Sequence, residues 1–185
     1  MMPELSLNVL DVAENSVRAD AALIQIEVDE QPKDDRLTII ISDNGRGMTA
    51  QQISNVTDPF FTTRTTRKVG LGVPFFKMAA ELTGGSLRIV SQPGRGTTVT
   101  AWFGLSHIDR MPLGDMAATV CTLIQCNPNV DFVYTQRYEQ RSFVADTREF
   151  RKTLEGIPLQ NPEVLLFIEE FIRENSAEIQ TPCDN

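Results

Sequence analysis

An apolar run, Leu37-Thr38-Ile39-Ile40-Ile41, ends at Asp43 and is followed at once by Gly45 and Gly47. A short continuous apolar run bounded by turn-formers reads as a strand buried on both faces or nearly so, which makes a sheet the organising element of this part of the chain. A carboxylate at the end of such a strand can accept a hydrogen bond from a ring amine held in a largely apolar pocket. Glycines beside it let backbone approach that ring with no Cβ in the way. Taken alone, Asp43-Asn44-Gly45-Arg46-Gly47-Met48 also suits a plain glycine turn.

The flanking pattern supplies the rest of an α/β unit. Residues 5–18 read as a helix with Val9, Val12, Ala13 and Val17 on an apolar surface and Asn8, Asp11, Asn15 and Arg18 on a polar stripe. Leu23 to Asp29 alternates as a half-buried strand, and Glu30 to Arg36 reads as a turn. Thr49 can cap a short helix running to about Val56. A helix is expected from Gly70 to Thr83, with Pro74 in its first turn and Gly84-Gly85 ending it. Residues 86–91 and 97–103 read as an antiparallel hairpin around Gln92-Pro93-Gly94-Arg95-Gly96.

Beyond residue 106 the pattern changes to α-β-β-α-α. Leu113, Met116, Ala117, Val120 and Ile124 lie at helical spacing, and Asp131 to Tyr138 and Arg141 to Ala145 suggest a strand pair. Asp146 can cap a helix ending near Gly156, and a last apolar helix is expected from Pro162 to about Ile179.

Several polar groups are spaced for nucleotide chemistry. Asp11 and Asn15 lie one helical turn apart and face the same way. An amide oxygen such as that of Asn15 can complete a Mg2+ shell, and a carboxylate such as Asp11 can orient an attacking water or hydroxyl. Arg18, one turn further on, can meet a phosphate, although a solvated helix face would show the same spacing. Gly70 and Gly72 open a helix whose free N–H groups form an anion site, with Arg64, Arg67 and Lys68 just upstream. Phe60 and Phe61 flank that segment as a hinge or as core.

As a set, these segments resemble the Bergerat-fold ATPases, the GHKL superfamily of gyrase B, Hsp90, sensor histidine kinases and MutL. Asp11 to Asn15 is similar to the N box, Asp43 to Met48 to the first glycine box, and Asp58 to Arg64 to the F box in its histidine-kinase form. Gly70-Leu71-Gly72 and Gly96-Thr97-Thr98 are similar to the later glycine boxes.

The resemblance covers residues 5–103. It implies a two-layer α/β (α+β) sandwich, a mixed sheet with helices on one face, followed by the small α-β-β-α-α appendage. It implies two units, residues 1–106 for nucleotide binding and 107–185 as an appendage packed on them and available to a partner. The implied cofactors are ATP and Mg2+. Asn15 would hold the metal and Asp43 the adenine, with Thr97 joining through water. Gly45, Gly47, Met48, Phe60, Thr63, Arg64, Lys68, Gly70, Leu71 and Gly72 would complete the nucleotide site, with residues 62–69 as a lid. Arg18 falls where histidine kinases often carry a basic phosphate contact, and Asp11 stands at the catalytic position.

This chain departs from the family pattern at several points. Asp11 occupies a position where Glu or Asn is usual, and Lys68 replaces a glycine. The lid is short, and the chain starts almost at the N-box helix. The only histidine, His107, reads as a linker residue rather than a phosphoacceptor.

The resemblance therefore implies a stand-alone ATP-dependent protein kinase or ATPase acting on an unidentified partner protein in signalling. The alternative is an ATP-gated, non-catalytic binding regulator similar to anti-sigma factors. A homodimer is compatible with either. A net charge of −8 argues against nonspecific binding to nucleic acid or an anionic membrane. The absence of a signal-like segment and the three cysteines, Cys121, Cys126 and Cys183, which form no disulfide framework, suit a reducing cytoplasm.

Overall fold

The computed structural model describes residues 3–57 and 72–181. Six strands form one mixed sheet in the order β3-β4-β2-β1-β5-β6. They are β1 (Leu23–Gln31), β2 (Arg36–Asp43), β3 (Ser86–Gln92), β4 (Gly96–Gly104), β5 (Asp131–Tyr138) and β6 (Arg141–Asp146). All neighbours are antiparallel except β1 and β5, which run parallel. The described helices are α1 (Leu5–Arg18), α2 (Ala50–Thr57), α3 (Gly72–Leu82), α4 (Met116–Cys126), α5 (Thr147–Thr153) and α6 (Pro162–Gln180).

Register aligns one apolar face across the sheet. Ile26 pairs with Ile41 and with Tyr134, and Ile41 pairs with Val99. Ile24, Val28, Leu37, Ile39, Ala101, Phe103 and Phe132 share that face, and every one of these side chains is buried. The opposite face is only half covered. Thr38, Ile40, Thr100 and Trp102 are intermediate in exposure, and the Arg36 guanidinium lies 5.2 Å from the Trp102 ring. The expectation that Leu37 to Ile41 is buried on both faces or nearly so is thus corrected for one face: among the described residues Thr38 and Ile40 are only half-buried, because a two-layer sandwich covers one face of its central strand.

Local chemistry sets the helix ends. Thr49 and Gln52 form a reciprocal capping box at the start of α2: the Gln52 N–H donates to Thr49 Oγ1, and the Thr49 N–H donates to Gln52 Oε1. α3 ends as its glycines require, with the Gly85 N–H donating to Ala80 O and the Gly84 N–H to Glu81 O. Asp115, Asp146 and Asn161 cap α4, α5 and α6 through side-chain oxygens. Leu113, expected inside a helix, instead precedes the Asp115 cap. Glu30, expected in a turn, extends β1, because its carbonyl accepts from the Glu139 N–H at the far end of β5.

The segment after residue 106 is built into the same sheet. β5 lies along the edge of β1, and α4 packs against α1 and α6. α1 has no side-chain cap; its first N–H groups, from Leu5 and Ser6, donate to Pro112 O and Leu113 O at 3.0 and 2.8 Å. Those bonds satisfy donors that every helix start leaves open. At the other end, Gln180 Nε2 donates to Glu30 Oε1, and burial raises the Glu30 carboxyl above its ordinary range.

A chain ending at Leu105 would lose the carbonyls that cap α1, the strand on β1, and the buried Phe132, Tyr134, Ile168 and Ile172. Each such side chain is worth roughly 1.5–3 kcal/mol, against a total stability of about 5–15 kcal/mol. Residues 1–105 are expected to lose cooperative thermal unfolding by circular dichroism. A sharp two-state transition in that fragment would show that the C-terminal segment is dispensable for folding.

Candidate functional site

Asp43 ends β2 on the helix-facing side of the sheet, in register with Thr97 of β4, which is itself in register with Ser91 of β3. The core face therefore turns polar at one end, where α1 and the Asn44-to-Met48 loop meet it. Asp43 Oδ1 accepts from the Gly45 and Thr97 N–H groups at 2.9 and 3.2 Å, and Oδ2 accepts from Ser16 Oγ at 2.6 Å. One carboxylate thus ties together α1, the loop and β4. With Oδ1 filled twice and Oδ2 once, Oδ2 keeps acceptor capacity for one further donor.

The loop beside it is held on both sides. Asn44 Oδ1 accepts from the Ala22 and Leu23 N–H groups, and the Arg46 N–H donates to Ala19 O. Gly47 has φ +68, and a Cβ there would fall 1.9 Å from Gln92 O, so no other residue fits without moving β3. Ser91 Oγ accepts from the Met48 N–H and donates to Gly96 O. With the Ser91 proton committed to that carbonyl, Thr97 Oγ1 is the donor in its 2.8 Å contact with Ser91, and its lone pairs remain free.

These groups border a cleft of about 290 Å3. Val12, Val73, Ile89 and Val99 give it apolar walls, and Asn15, Ser16, Asp43 and Thr97 give it convergent polar groups, the composition of a small-molecule site. Arg18 stands at the rim, donating to Asn15 Oδ1 at 3.2 Å and to Glu14 Oε2 at 3.0 Å.

The structure thus brings Asn15, Arg18, Asp43, Gly47, Met48 and Thr97 to one cleft, with Gly45 bonded to Asp43 behind it. Asp11 is half-buried and off the cleft wall, packed against the first residue of α3: a Cβ on Gly72 would lie 2.5 Å from Asp11 Cβ. That carboxylate sits at a helix N-terminus, where the dipole favours negative charge. Phe60, Thr63, Arg64, Lys68, Gly70 and Leu71, with the expected lid at 62–69, lie outside the described residues.

The sequence pattern gives no role to Ser16 or Ser91, and it includes Asn44 and Arg46 only as parts of the Asp43-to-Met48 motif. Ser16 had a usable signal: it continues the Val9, Val12, Ala13 stripe at helical spacing, and a polar residue at a buried position calls for a partner. Asn8, read as part of the polar stripe, is also fully buried.

The family described as Histidine kinase-, DNA gyrase B-, and HSP90-like ATPase matches residues 3–107, more than half of the chain. The chain belongs to that family. Among curated proteins it is similar to the sensor histidine kinase ZraS of Escherichia coli strain K12, 33% identical over 76 residues, which is 41% of this chain and 16% of that protein. It is 38% identical over 92 residues to the sensor protein kinase FleS of Pseudomonas aeruginosa, 50% of this chain and 23% of that one. It is 31% identical over 103 residues to the alginate biosynthesis sensor protein KinB of Pseudomonas aeruginosa, 51% of this chain and 17% of that one. The chain spans less than a quarter of the length of each of these relatives.

Two substitutions check the loop geometry. Gly47→Ala is expected to destabilise the fold by about 2 kcal/mol or more, because it meets both a left-handed φ and a backbone oxygen. Ser16→Ala is expected to cost about 1.5–3 kcal/mol by removing one hydrogen bond to a charged group. Denaturant midpoints unchanged in both variants would contradict the packing of α1 and β3 around the loop.

Proposed function

We propose that this member of the family binds Mg-ATP in the Asp43 cleft and acts as a stand-alone ATP-dependent protein kinase or ATPase on a partner protein in signalling. The observation that carries the reading is the Asp43 carboxylate, fixed by Ser16, Gly45 and Thr97 at the mouth of an apolar cleft with one acceptor position open. That position suits the exocyclic amine of adenine, and Thr97 Oγ1 would add a water-mediated contact.

Asn15 Oδ1 fits as a single protein ligand for a Mg2+ whose remaining ligands are water and phosphate. Bound there, the ion would offset the phosphate charge. Its arrival would free Arg18 from Asn15, and the exposed guanidinium would then be available to a phosphate. In this reading Arg64 and Lys68 close over the triphosphate from the 62–69 segment, beside the N–H groups that open α3.

Asp11 would orient the attacking water or the acceptor hydroxyl or imidazole. The acceptor belongs to the partner, and residues 107–185 offer the surface on which that partner docks. A cytoplasmic location fits this role; among the described residues no helix is long and apolar enough to cross a membrane.

A second reading, an ATP-gated binding regulator with little turnover, is favoured by the position of Asp11. Its short side chain packs against Gly72 off the described cleft wall, an arrangement that suits helix-end charge as well as catalysis. Phosphate release and phosphoryl transfer to candidate partners separate the two.

Asp43→Asn keeps the side-chain size but replaces a carboxylate with an amide where the adenine amine needs an acceptor. ATP binding measured by calorimetry should weaken by about 1–3 kcal/mol. Equal affinities would remove the nucleotide from this cleft. Asn15→Ala should weaken the Mg-dependent part of binding. Asp11→Asn should leave binding largely intact and lower turnover by about 100-fold or more, the scale of general-base catalysis. Unchanged turnover in Asp11→Asn would leave that carboxylate a structural role.

A further inference from the structure

A wide cleft of about 710 Å3 opens at the end of the sheet remote from Asp43, and it shares no lining residue with the Asp43 cleft. The ends of β1 and β5, the start of α4 and the last turns of α6 form its walls. Gln136 of β5 lines it and is only 3% exposed. Its Oε1 accepts from Tyr134 Oη at 3.0 Å and from Ser176 Oγ at 2.6 Å. Its Nε2 has no partner among the described residues, where the unpartnered side-chain atoms sealed from solvent belong to Asn8 alone. The Gln136 amide N–H groups therefore open into the cleft.

Two charged groups lining the same cleft are also unmatched. Arg110 donates to Leu105 O and Met111 O, and makes no ion pair among the described residues. Glu30 Oε1 accepts from Gln180 Nε2, and its Oε2 accepts nothing among the described residues. Gln136 is in register with Val28, so Glu30, two residues further along β1, shares its face at roughly 8 Å. Burial raises the Glu30 carboxyl, against the Gln180 hydrogen bond and the Arg110 charge, which lower it.

The unmatched groups are of both signs, and that sets the ligand. Gln136 Nε2 and Arg110 call for a negatively charged acceptor. A bare anion is disfavoured, because three carboxylates, Glu4, Glu30 and Asp115, line the cleft against two guanidiniums, Arg110 and Arg173. Arg173 is already paired with Asp115 and Glu169. A bare cation would leave the amide N–H groups and Arg110 with no acceptor. A small ligand carrying both charges meets all three groups. Leu113, Met116 and Ala117 give the cleft an apolar side.

We propose that this cleft binds a free α-amino acid with an apolar side chain. The carboxylate takes the Gln136 amide and Arg110, the ammonium takes Glu30, and the side chain lies against Leu113, Met116 and Ala117. The volume admits any such amino acid, so charge rather than size defines the class.

L-Leucine is the probe, titrated into the full chain by calorimetry. Isocaproate, which lacks the ammonium, and isoamylamine, which lacks the carboxylate, are the controls. Leucine is expected to bind saturably, and each control at least about tenfold more weakly, which is about 1.4 kcal/mol. Glu30→Gln, whose amide oxygen still accepts from Gln180, should weaken leucine at least about tenfold and bind isocaproate no worse than the unaltered chain. Gln136→Glu keeps the acceptor for Tyr134 and Ser176 but meets the carboxylate with a like charge. It should weaken leucine to the same degree and leave isoamylamine no weaker. Cooperative thermal unfolding of each variant shows that its loss is local.

Absence of saturable leucine binding would overturn the proposal. So would either control binding as tightly as leucine, or unchanged leucine affinity in folded Glu30→Gln or Gln136→Glu.

Discussion

The Asp43 carboxylate is the joint on which the site depends. Three donors from three elements converge on it, Ser16 from α1, Gly45 from the loop and Thr97 from β4. Its position is a consequence of register: Asp43 continues the Leu37, Ile39, Ile41 face of β2, and a slip of one residue would turn the carboxylate to the open side of the sheet. The apolar packing under α1 and α3 therefore does more than hold the fold together. It sets the height at which the carboxylate meets the cleft, and the convergent donors keep it oriented beside an otherwise apolar wall.

The C-terminal segment belongs to the same mechanical system. α1 carries both Ser16 and Asn15, yet it has no cap of its own, and its first turn is closed by the carbonyls of Pro112 and Leu113. The parallel β5 covers the edge of β1 that would otherwise offer unpaired backbone groups. Phe132 and Tyr134 extend the apolar face on which α1 and α4 rest. Anything that loosens this segment therefore acts on the helix that forms one wall of the cleft, at a distance from the cleft itself.

Much of this was legible in the sequence, for identifiable reasons. Period and capping chemistry located α1, the β3–β4 hairpin, the Asp146 cap and the long α6, because each rests on local rules that tertiary packing reinforces. Gly47 was legible because its φ and its contact with β3 leave no alternative residue. The errors came from non-local facts. The Leu37 to Ile41 run is apolar except at Thr38, yet among the described residues only one of its faces has a layer to pack against. Leu113 has helical spacing, but its carbonyl caps another helix. Glu30 was read as turn because its partner on β5, Tyr138, lies far along the chain. Ser91 entered the site only through register, which no local pattern encodes.

α1 shows why buried polar residues are worth reading separately from amphipathic faces. Its buried surface should be apolar for stability, yet it carries Asn8 and Ser16 at positions where leucine, valine or alanine would pack at lower cost. Half-buried Asp11 lies between them, against the start of α3. Ser16 has its compensation within the chain, a 2.6 Å bond to the carboxylate it orients. Asn8 has none among the described residues. The two residues sit on the same helix and in the same core, under the same pressure towards apolar side chains, and only one has a side-chain hydrogen bond among the described residues. Where local rules are broken in a fold that otherwise obeys them, the breach marks a place where something other than stability sets the residue. Ser16 shows this at the Asp43 cleft.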